Sequence, residues 1–501
     1  MDQKQVDWPS FIATVAMILI VCVPLALAGE DAAILLQNIY NYIADKFGIF
    51  YLLAGVGSVG FLIWLAFSRF ADVRLGDDEI EFSQMSWIAM LFCAGIGAGL
   101  MYWCVIEWTY YFETPPFGVE PQSTEAAEWA STYGLFHWGV TAWAFYCLTA
   151  LAIAYPYYNK KLDILRFSVS CHWFLKDKQH GPMARMIDFL FMVAMIAGAA
   201  TGLGFSTPMI SACLSWLFGF EDTFGLDVAV MSVCVGLFVI SVWLGLQKGI
   251  KRLSDLNLFI AIGLLLFLLF AGPTLFLLKT GLNSLGLMTQ NFVRMNFWTD
   301  PFTESGFVEA WTVFYWAWWV AFAPYVGLFI TRISRGRTIG QVIKGMLIFG
   351  SLGCWVFYMV IGNYSQFLHM TETVDVIGAL KAVDGAAAIV TSLEAMPWPP
   401  VVIAAFTSMS IIFAATTYDS ASYTLASSAT LHLKAGDDPA RWHRVFWAFA
   451  LAVMPITLLF VGGLRTVQVM LLIASTPILF VGVVMTYSLV KSLQQDHPVS
   501  Q

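Results

Sequence analysis

Aromatic side chains that could hold a cation are concentrated in two stretches of the sequence. The segment WTVFYWAWWVAFAP at 311–324 has six aromatic residues in its first nine positions. Trp318 and Phe322 of that segment and Tyr325 just after it are spaced by four and three, so they share one face of a helix. Ring faces attract quaternary ammonium groups by about 2 kcal/mol or more when water is excluded.

The second aromatic stretch, at 135–148, contains Trp138, Trp143 and Tyr146. At about 100° per residue these three fall within about 140° of one another, which is a single broad face. An interfacial belt of aromatic residues explains either helix taken alone. Rings near the middle of two apolar segments favour a binding box for an onium group instead.

Backbone and hydroxyl groups suited to a small cation occur in two other segments. Gly95, Gly97 and Gly99 alternate within a long apolar stretch, where each glycine weakens a helix by roughly 1 kcal/mol. Close helix packing through small residues is one interpretation. An unwound segment is the other, and it is tolerated at that depth where it lines a cavity or binds something.

The other polar segment has Thr416, Thr417, Asp419, Ser420 and Ser422 inside an apolar run. Hydroxyl groups commonly bond back to carbonyl groups of their own helix. An aspartate inside a span usually has a partner or a function, because its insertion costs roughly 2.5–3.5 kcal/mol. We therefore predict a sodium site formed jointly by this segment and the glycine segment.

The elements that carry these residues are membrane spans. The chain has 501 residues, of which 59% are hydrophobic and 12% are charged, against about 25% charged in soluble proteins. Apolar runs of roughly 20 residues recur along the whole chain. They predict twelve transmembrane helices, which are listed here by their segments: 10–29, 50–69, 86–111, 131–155, 187–217, 228–246, 256–278, 308–331, 343–366, 399–425, 444–463 and 467–490.

The distribution of positive charge predicts the orientation. With the N-terminus in the cytoplasm, 20 of the 25 Lys and Arg residues fall in inner segments and five in outer ones. The five outer residues are Lys46, Lys279, Arg294, Lys381 and Arg465. Both termini are therefore expected in the cytoplasm.

The sequence gives no indication of an enzyme. It has no HExxH, P-loop, dinucleotide fingerprint or Ser/His/Asp spacing. The eight cysteines fall mostly within predicted spans, where they behave as small apolar residues. We expect no cofactor other than a coupling ion, and no nucleic-acid partner.

The segment WTVFYWAWW at 311–319 resembles the signature of the betaine/carnitine/choline transporter family, and RISRGRT at 332–338 is similar to the same family. The resemblance covers nearly the full length of the chain. It implies the inverted-repeat fold of the leucine-transporter type and a homotrimer in the inner membrane. The implied divisions are two N-terminal spans at 1–81, repeat 1 at 82–280, an interfacial amphipathic helix at 281–306, repeat 2 at 307–491 and a short tail at 492–501.

The resemblance also implies roles for individual residues. The substrate-binding residues would be Trp138, Trp143, Tyr146, Trp318, Trp319, Phe322, Gly97 and Gly99. The sodium ligands would be carbonyl groups of Cys93, Ile96 and Phe413 with hydroxyl groups of Thr416 and Thr417. Phe322 stands where betaine transporters have Trp and carnitine exchangers have Tyr, so the substrate stays open among glycine betaine, carnitine, choline and dimethylsulfoniopropionate.

Three further residues bear on mechanism. Sodium-independent exchangers of the family carry an arginine where this chain has Asn257, and they lack most of the span-three glycines. Sodium symport is therefore favoured over carnitine/butyrobetaine exchange, with an onium-gated channel or sensor as the alternative of another class. Glu107 is expected to gate or to cap its helix, and His137 to be packed or to bear on protonation.

Overall fold

The computed structural model describes residues 6–77, 79–162, 166–176, 178–179, 181–244, 247–431, 433, 438–461 and 464–498. Within these residues the chain is helical, with no strand beyond the isolated bridges Val6–Thr430 and Arg74–Thr338. Lys4 and Lys434, both counted in the charge distribution, lie outside the described residues. The last three residues of the predicted tail do so as well.

As far as residue 297, the described chain forms the first ten α-helices. Their bounds are α1 Trp8–Phe67, α2 Gln84–Ala94, α3 Ala98–Glu113, α4 Thr124–His137, α5 Val140–Asn159, α6 His172–Leu175, α7 Pro182–Phe218, α8 Phe224–Leu244, α9 Gln247–Ala271 and α10 Thr274–Phe297. Short 3-10 turns cover Pro116–Gly118 and Phe167–Cys171.

Nine further α-helices follow in the described residues. Their bounds are α11 Phe314–Ile333, α12 Ile339–Gly345, α13 Ser351–Phe357, α14 Asn363–Met370, α15 Val376–Ala382, α16 Gly385–Glu394, α17 Pro399–Ser428, α18 Arg441–Val461 and α19 Leu464–Asp496. Turns of π-helix at Val308–Val313, Met346–Gly350 and Tyr358–Gly362 adjoin these helices.

Each of the twelve predicted spans overlaps a helix of the structure. Among the described residues, eight helices are long and apolar enough to cross a membrane, or ten if each of two bent pairs counts as one span. Helices α8 and α18, which overlap the other two predicted spans, fall outside that count. Helix α1 contains two of the eight, Trp8–Leu27 and Ile34–Phe67. The chain is therefore an all-α polytopic membrane protein.

Helices α5 and α11 pack along one another and carry most of the predicted binding residues. Gly327 on α11 permits this approach, because a Cβ atom there would lie 3.0 Å from the Thr149 methyl group and 3.2 Å from the Ala150 nitrogen. Thr331 also donates a hydrogen bond to the Ala150 carbonyl at 3.3 Å. The two helices are thus held in close contact over more than one turn.

Helix α10 covers residues 281–297 of the interfacial helix predicted at 281–306, begins seven residues before the predicted start and ends nine residues before the predicted end. It leaves the line of α9 at 109°. Ser284 donates to the Ser131 hydroxyl group at 3.0 Å, and Thr141 donates to the Asn296 amide oxygen at 2.8 Å. These bonds attach α10 to α4 and α5, the helices on either side of Trp138.

The π turns at Met346–Gly350 and Tyr358–Gly362 lie in the apolar segment Ile339–Met370. In this segment residues spaced by four contact α2, α3 and α5. A Cβ atom at Gly350 would meet the Trp143 ring at 2.4 Å, and one at Gly362 would meet the Cys104 carbonyl oxygen at 2.4 Å. Between them, Cys354 lies 3.5 Å from the Gly95 oxygen, and Tyr358 donates to Glu107.

The loop before α2 is tied to the loop after α11. The Arg335 guanidinium donates to both carboxylate oxygens of Asp77, at 3.1 and 2.6 Å. This hydrogen bonding holds the pKa of the Asp77 carboxyl below its usual value. Gly336, at φ +76, brings the chain against the Glu79 carbonyl group, where a Cβ atom would lie at 2.6 Å.

Candidate functional site

The structure brings five predicted residues into one group of ring contacts, which we call the aromatic cluster. The ring of Trp138 lies 5.9 Å from Trp318 and 5.4 Å from Trp319. Tyr146 lies 4.7 Å from Trp319, and Trp143 lies 5.5 Å from Tyr146 and 6.3 Å from Trp319. All five side chains are buried. Their edges and faces meet at the separations that favour aromatic pairs.

The position of Trp138 differs from the prediction. Helix α4 ends at His137, Trp138 has non-helical torsion angles, and α5 begins after Gly139. A Cβ atom at position 139 would lie 2.4 Å from the Leu135 carbonyl oxygen, so the break requires glycine. The prediction that Trp138 shares a continuous helical face with Trp143 is wrong, because the rotation of 100° per residue does not run through this break.

Phe322 lies one turn beyond the aromatic cluster on α11. A Cβ atom at Gly198 of α7 would lie 2.8 Å from its ring, and the Tyr325 ring is 5.8 Å away. Among the ring contacts of the described residues, none joins Phe322 to Trp318 or Trp319. Phe322 therefore extends the aromatic surface towards α7.

The predicted unwound segment is confirmed. Helix α2 ends at Ala94, α3 begins at Ala98, and the two helices meet at an angle of 60°. Gly97 has extended torsion angles, and a Cβ atom there would have no neighbour within 4 Å. The segment therefore has open space beside Gly97, which is partly exposed.

Gly95 and Gly99 fit the other interpretation of the sequence, in which small residues allow close packing. A Cβ atom at Gly95 would lie 2.6 Å from the Trp143 ring, and one at Gly99 would lie 2.8 Å from the Trp318 ring. The glycine segment thus receives two tryptophans of the aromatic cluster. Both interpretations of the sequence hold, each for different glycines.

The five predicted sodium ligands lie in two groups along the chain, one at 93–96 and one at 413–417. Thr416 and Thr417 each donate a hydroxyl hydrogen bond to the Phe413 carbonyl oxygen, at 3.0 and 2.8 Å. The Cys93 carbonyl accepts a hydrogen bond from the Ile96 nitrogen at 3.1 Å. Among the hydrogen bonds of the described residues, none joins one group to the other. Each threonine oxygen keeps lone pairs for a cation, because donation uses only its hydrogen.

The aspartate within this span has a partner. Arg444 of α18 donates to the Asp419 carboxylate at 2.7 Å. The same guanidinium lies 5.3 Å from the centre of the Tyr423 ring. Asp419 is therefore accounted for by an ion pair between α17 and α18.

Glu107 is the main residue whose environment the sequence did not reveal. Its carboxylate is fully buried and accepts hydrogen bonds from the Trp138 indole at 3.1 Å and the Tyr315 hydroxyl group at 2.6 Å. A signal existed, because Tyr111 is four residues away on the same helical face and also donates to it. The other donors come from distant parts of the chain, so spacing could not indicate them.

Comparison with known proteins gives a consistent result. The model of the "BCCT, betaine/carnitine/choline family transporter" matches residues 9–498. An uncharacterized transporter of Escherichia coli K12, YeaV, is 35% identical over 441 residues, which are 88% of this chain and 92% of the relative. A carnitine transporter of Acinetobacter baumannii is 34% identical over 441 residues, or 87% and 80% of the two chains.

Among solved structures, a Na⁺-coupled sialic acid symporter in a substrate-bound outward-open state has a TM-score of 0.42 and 12% identity. The match covers 90% of this chain and 82% of the symporter. A likeness this remote supports no inference about coupling or substrate. The family match over nearly the whole chain confirms the resemblance of the aromatic signature, and the relatives are transporters rather than enzymes. The chain belongs to the betaine/carnitine/choline family of transporters.

Proposed function

We propose that the protein takes up a quaternary ammonium or sulfonium compound by sodium symport. The observation that carries the proposal is the aromatic cluster, in which the buried Trp138 ring contacts the buried rings of Trp318 and Trp319. Buried ring faces attract an onium group, whose methyl groups are weakly hydrated, more readily than a small hydrated cation. The open space beside the partly exposed Gly97 would receive a carboxylate on the same substrate.

Carnitine and glycine betaine are the first substrates to test, followed by choline and dimethylsulfoniopropionate. Carnitine is favoured by the relative named as a carnitine transporter, which is 34% identical to this chain. Phe322 has no hydrogen-bonding group, so recognition next to the cluster would depend on ring faces and backbone.

Sodium coupling is supported by the broken helix and the hydroxyl pair. Carbonyl and hydroxyl oxygens are hard ligands, which suit a small alkali cation. Asn257, at the position where exchangers carry an arginine, donates to the Met409 carbonyl of α17 at 3.4 Å. Asn257 is neutral, so it does not supply the positive charge that the arginine of the exchangers brings to this position.

The setting of the transporter is also a proposal. We infer a homotrimer in the inner membrane, surrounded by lipid, with both termini in the cytoplasm. The distribution of Lys and Arg supports this orientation, with 20 residues in inner segments against five in outer ones. Helix α10, which leaves α9 at 109°, is the helix expected to support the trimer.

The test is uptake of labelled carnitine and glycine betaine into proteoliposomes, with an inward sodium gradient and then with potassium in its place. We expect accumulation that requires sodium and needs no substrate inside the vesicles. Uptake that ignores sodium but requires internal substrate would identify an exchanger. Currents that follow the substrate gradient without accumulation would identify an onium-gated channel, and binding without any flux would identify a sensor.

A further inference from the structure

A fully buried carboxylate lies directly behind one tryptophan of the aromatic cluster. Glu107 accepts at Oε1 from the Tyr111 hydroxyl group at 2.6 Å. At Oε2 it accepts from the Trp138 indole at 3.1 Å, from the Tyr315 hydroxyl group at 2.6 Å and from the Tyr358 hydroxyl group. Four donors on two oxygens match a carboxylate, which has only acceptor sites to offer.

The histidine near Glu107 can make its hydrogen bonds without a positive charge. The Nδ1 atom of His137 lies 2.8 Å from the Tyr111 oxygen and 3.7 Å from Glu107 Oε1. Because Tyr111 donates its hydrogen to Glu107, its oxygen accepts from Nδ1–H. The Nε2 atom lies 3.1 Å from the Thr312 hydroxyl oxygen, and this hydroxyl group can donate to it when the imidazole is neutral. A neutral imidazole satisfies every partner in this chain.

Within the part of the chain that the structure describes, no Lys or Arg forms an ion pair with this carboxylate. Among the ion pairs of the described residues, His137 is the one basic partner of Glu107, and its hydrogen bonds fit the neutral form. A buried charge without an opposite charge is expensive, so its retention inside a span calls for a function. The positive group that the aromatic cluster would receive is the missing complement.

The hydrogen bond from Trp138 connects the carboxylate to that group. An indole N–H that donates to a carboxylate gains electron density, and hydrogen-bonded groups polarise one another in a buried site. The attraction of a ring for a cation grows with the negative charge on its face. The Trp138 ring meets Trp318 and Trp319, so this polarised ring is part of the cluster wall.

We propose that Glu107 determines the charge specificity of the transporter by acting through Trp138. Its negative charge makes the aromatic cluster prefer an onium group to an uncharged group of the same shape. The inference rests on the proposed onium substrate and goes beyond it, since the aromatic cluster alone would also accept a tert-butyl group by apolar contact.

The test compares matched ligand pairs on the purified full-length protein. Glycine betaine is paired with 3,3-dimethylbutanoate, and choline with 3,3-dimethylbutan-1-ol, so that carbon replaces nitrogen in each pair. Glu107→Gln should lower the ratio of onium to isostere affinity by roughly tenfold, while isostere affinity changes by less than about twofold. The same substitution should have a smaller effect in a Trp138→Phe background, where the ring has no N–H group.

Two further variants distinguish an effect of the Glu107 charge from a loss of structure. Tyr111→Phe removes a hydroxyl group from the network but keeps the carboxylate, so the ratio should stay at the wild-type value. If Glu107→Gln does not fold, Trp138→Phe alone should lower the ratio, because it breaks the same connection.

The outcomes are distinguishable. Equal weakening of onium and isostere by Glu107→Gln, with the ratio unchanged, would overturn the inference and leave the onium substrate intact. A wild-type protein that does not prefer either onium compound to its isostere would overturn the proposed function and the inference together. A lower ratio in Glu107→Gln with the wild-type ratio in Tyr111→Phe would support both.

Discussion

The aromatic cluster and the predicted sodium site differ in how the structure assembles them. Five aromatic residues from α5, α11 and the break before α5 reach one another through ring contacts of 4.7–6.3 Å. The sodium ligands remain in two groups, each hydrogen-bonded within its own segment. Large rings define a site by their own volume. Small oxygen ligands define one when the backbone brings them together around an ion.

Removing the central ring of the aromatic cluster should have the largest effect. Trp319 contacts Trp138, Trp143 and Tyr146, so Trp319→Ala should weaken onium binding by roughly ten- to a hundredfold. Equilibrium binding of labelled carnitine and glycine betaine measures this. Trp398→Ala is a suitable control, because Trp398 is 71% exposed and lies outside the aromatic cluster, immediately before the first residue of α17. Unchanged affinity in Trp319→Ala would remove the ring cluster as the binding site.

Single methyl groups added at Gly97 and Gly99 distinguish packing against the aromatic cluster from use of the open space beside Gly97. Gly99→Ala would drive a Cβ atom to within 2.8 Å of Trp318, so it should displace the ring and weaken binding several-fold. Gly97→Ala meets no protein atom within 4 Å and fits the extended backbone there. We expect it to fold with wild-type thermal stability yet bind substrate more weakly. Wild-type affinity in Gly97→Ala would show that the open space is not used by substrate.

The hydroxyl pair should affect the ion more than the substrate. Thr416→Val and Thr417→Val remove oxygens 2.8–3.0 Å from the Phe413 carbonyl, so the sodium concentration for half-maximal uptake should rise several-fold. The matched control is Thr407→Val, because Thr407 makes the same bond to the Ile403 carbonyl at 2.6 Å, earlier on α17. A change in substrate preference with unchanged sodium dependence would move the ion site elsewhere.

The smallest effect is expected at the loops outside both regions. Arg335→Ala removes the two hydrogen bonds that lower the pKa of Asp77. Because the pKa of Asp77 is lower in the folded protein, its ionised carboxylate stabilises the fold at pH values above its unfolded-state pKa near 3.8. This stabilisation is lost as the pH falls through the folded-state pKa. Because both groups are exposed, the melting temperature should change little at neutral pH. A large loss of transport would assign these loops a role in the cycle.

The general fold could be predicted because each membrane span can be recognised from its own residues. Apolar runs of membrane-spanning length and the excess of basic residues on one side are properties of single segments. The breaks were harder to predict. Three alternating glycines indicated the break at 95–97, whereas the break at Trp138 depends on Gly139, a single glycine that a continuous helix could also hold.

The site was predictable in its residue types and less so in its contacts. Tryptophans with regular spacing indicated the aromatic cluster. The network around Glu107 joins residues 107, 138, 315 and 358, which no local spacing relates. Asp419 likewise needed Arg444, 25 positions away on another helix, before its burial could be explained. Polar groups inside a membrane protein are explained by partners that the fold supplies.

The π turns of the segment Ile339–Met370 change the periodicity with which it meets its neighbours. Gly350, Cys354, Tyr358 and Gly362 recur every four residues and all face α2, α3 or α5. In an unbroken α-helix a spacing of four advances by about 40° each time, which would spread them over about 120°. The wider π turns offset part of this drift. Deletion of one residue between Gly350 and Tyr358 would therefore rotate Tyr358 away from Glu107 while Gly350 still faced Trp143.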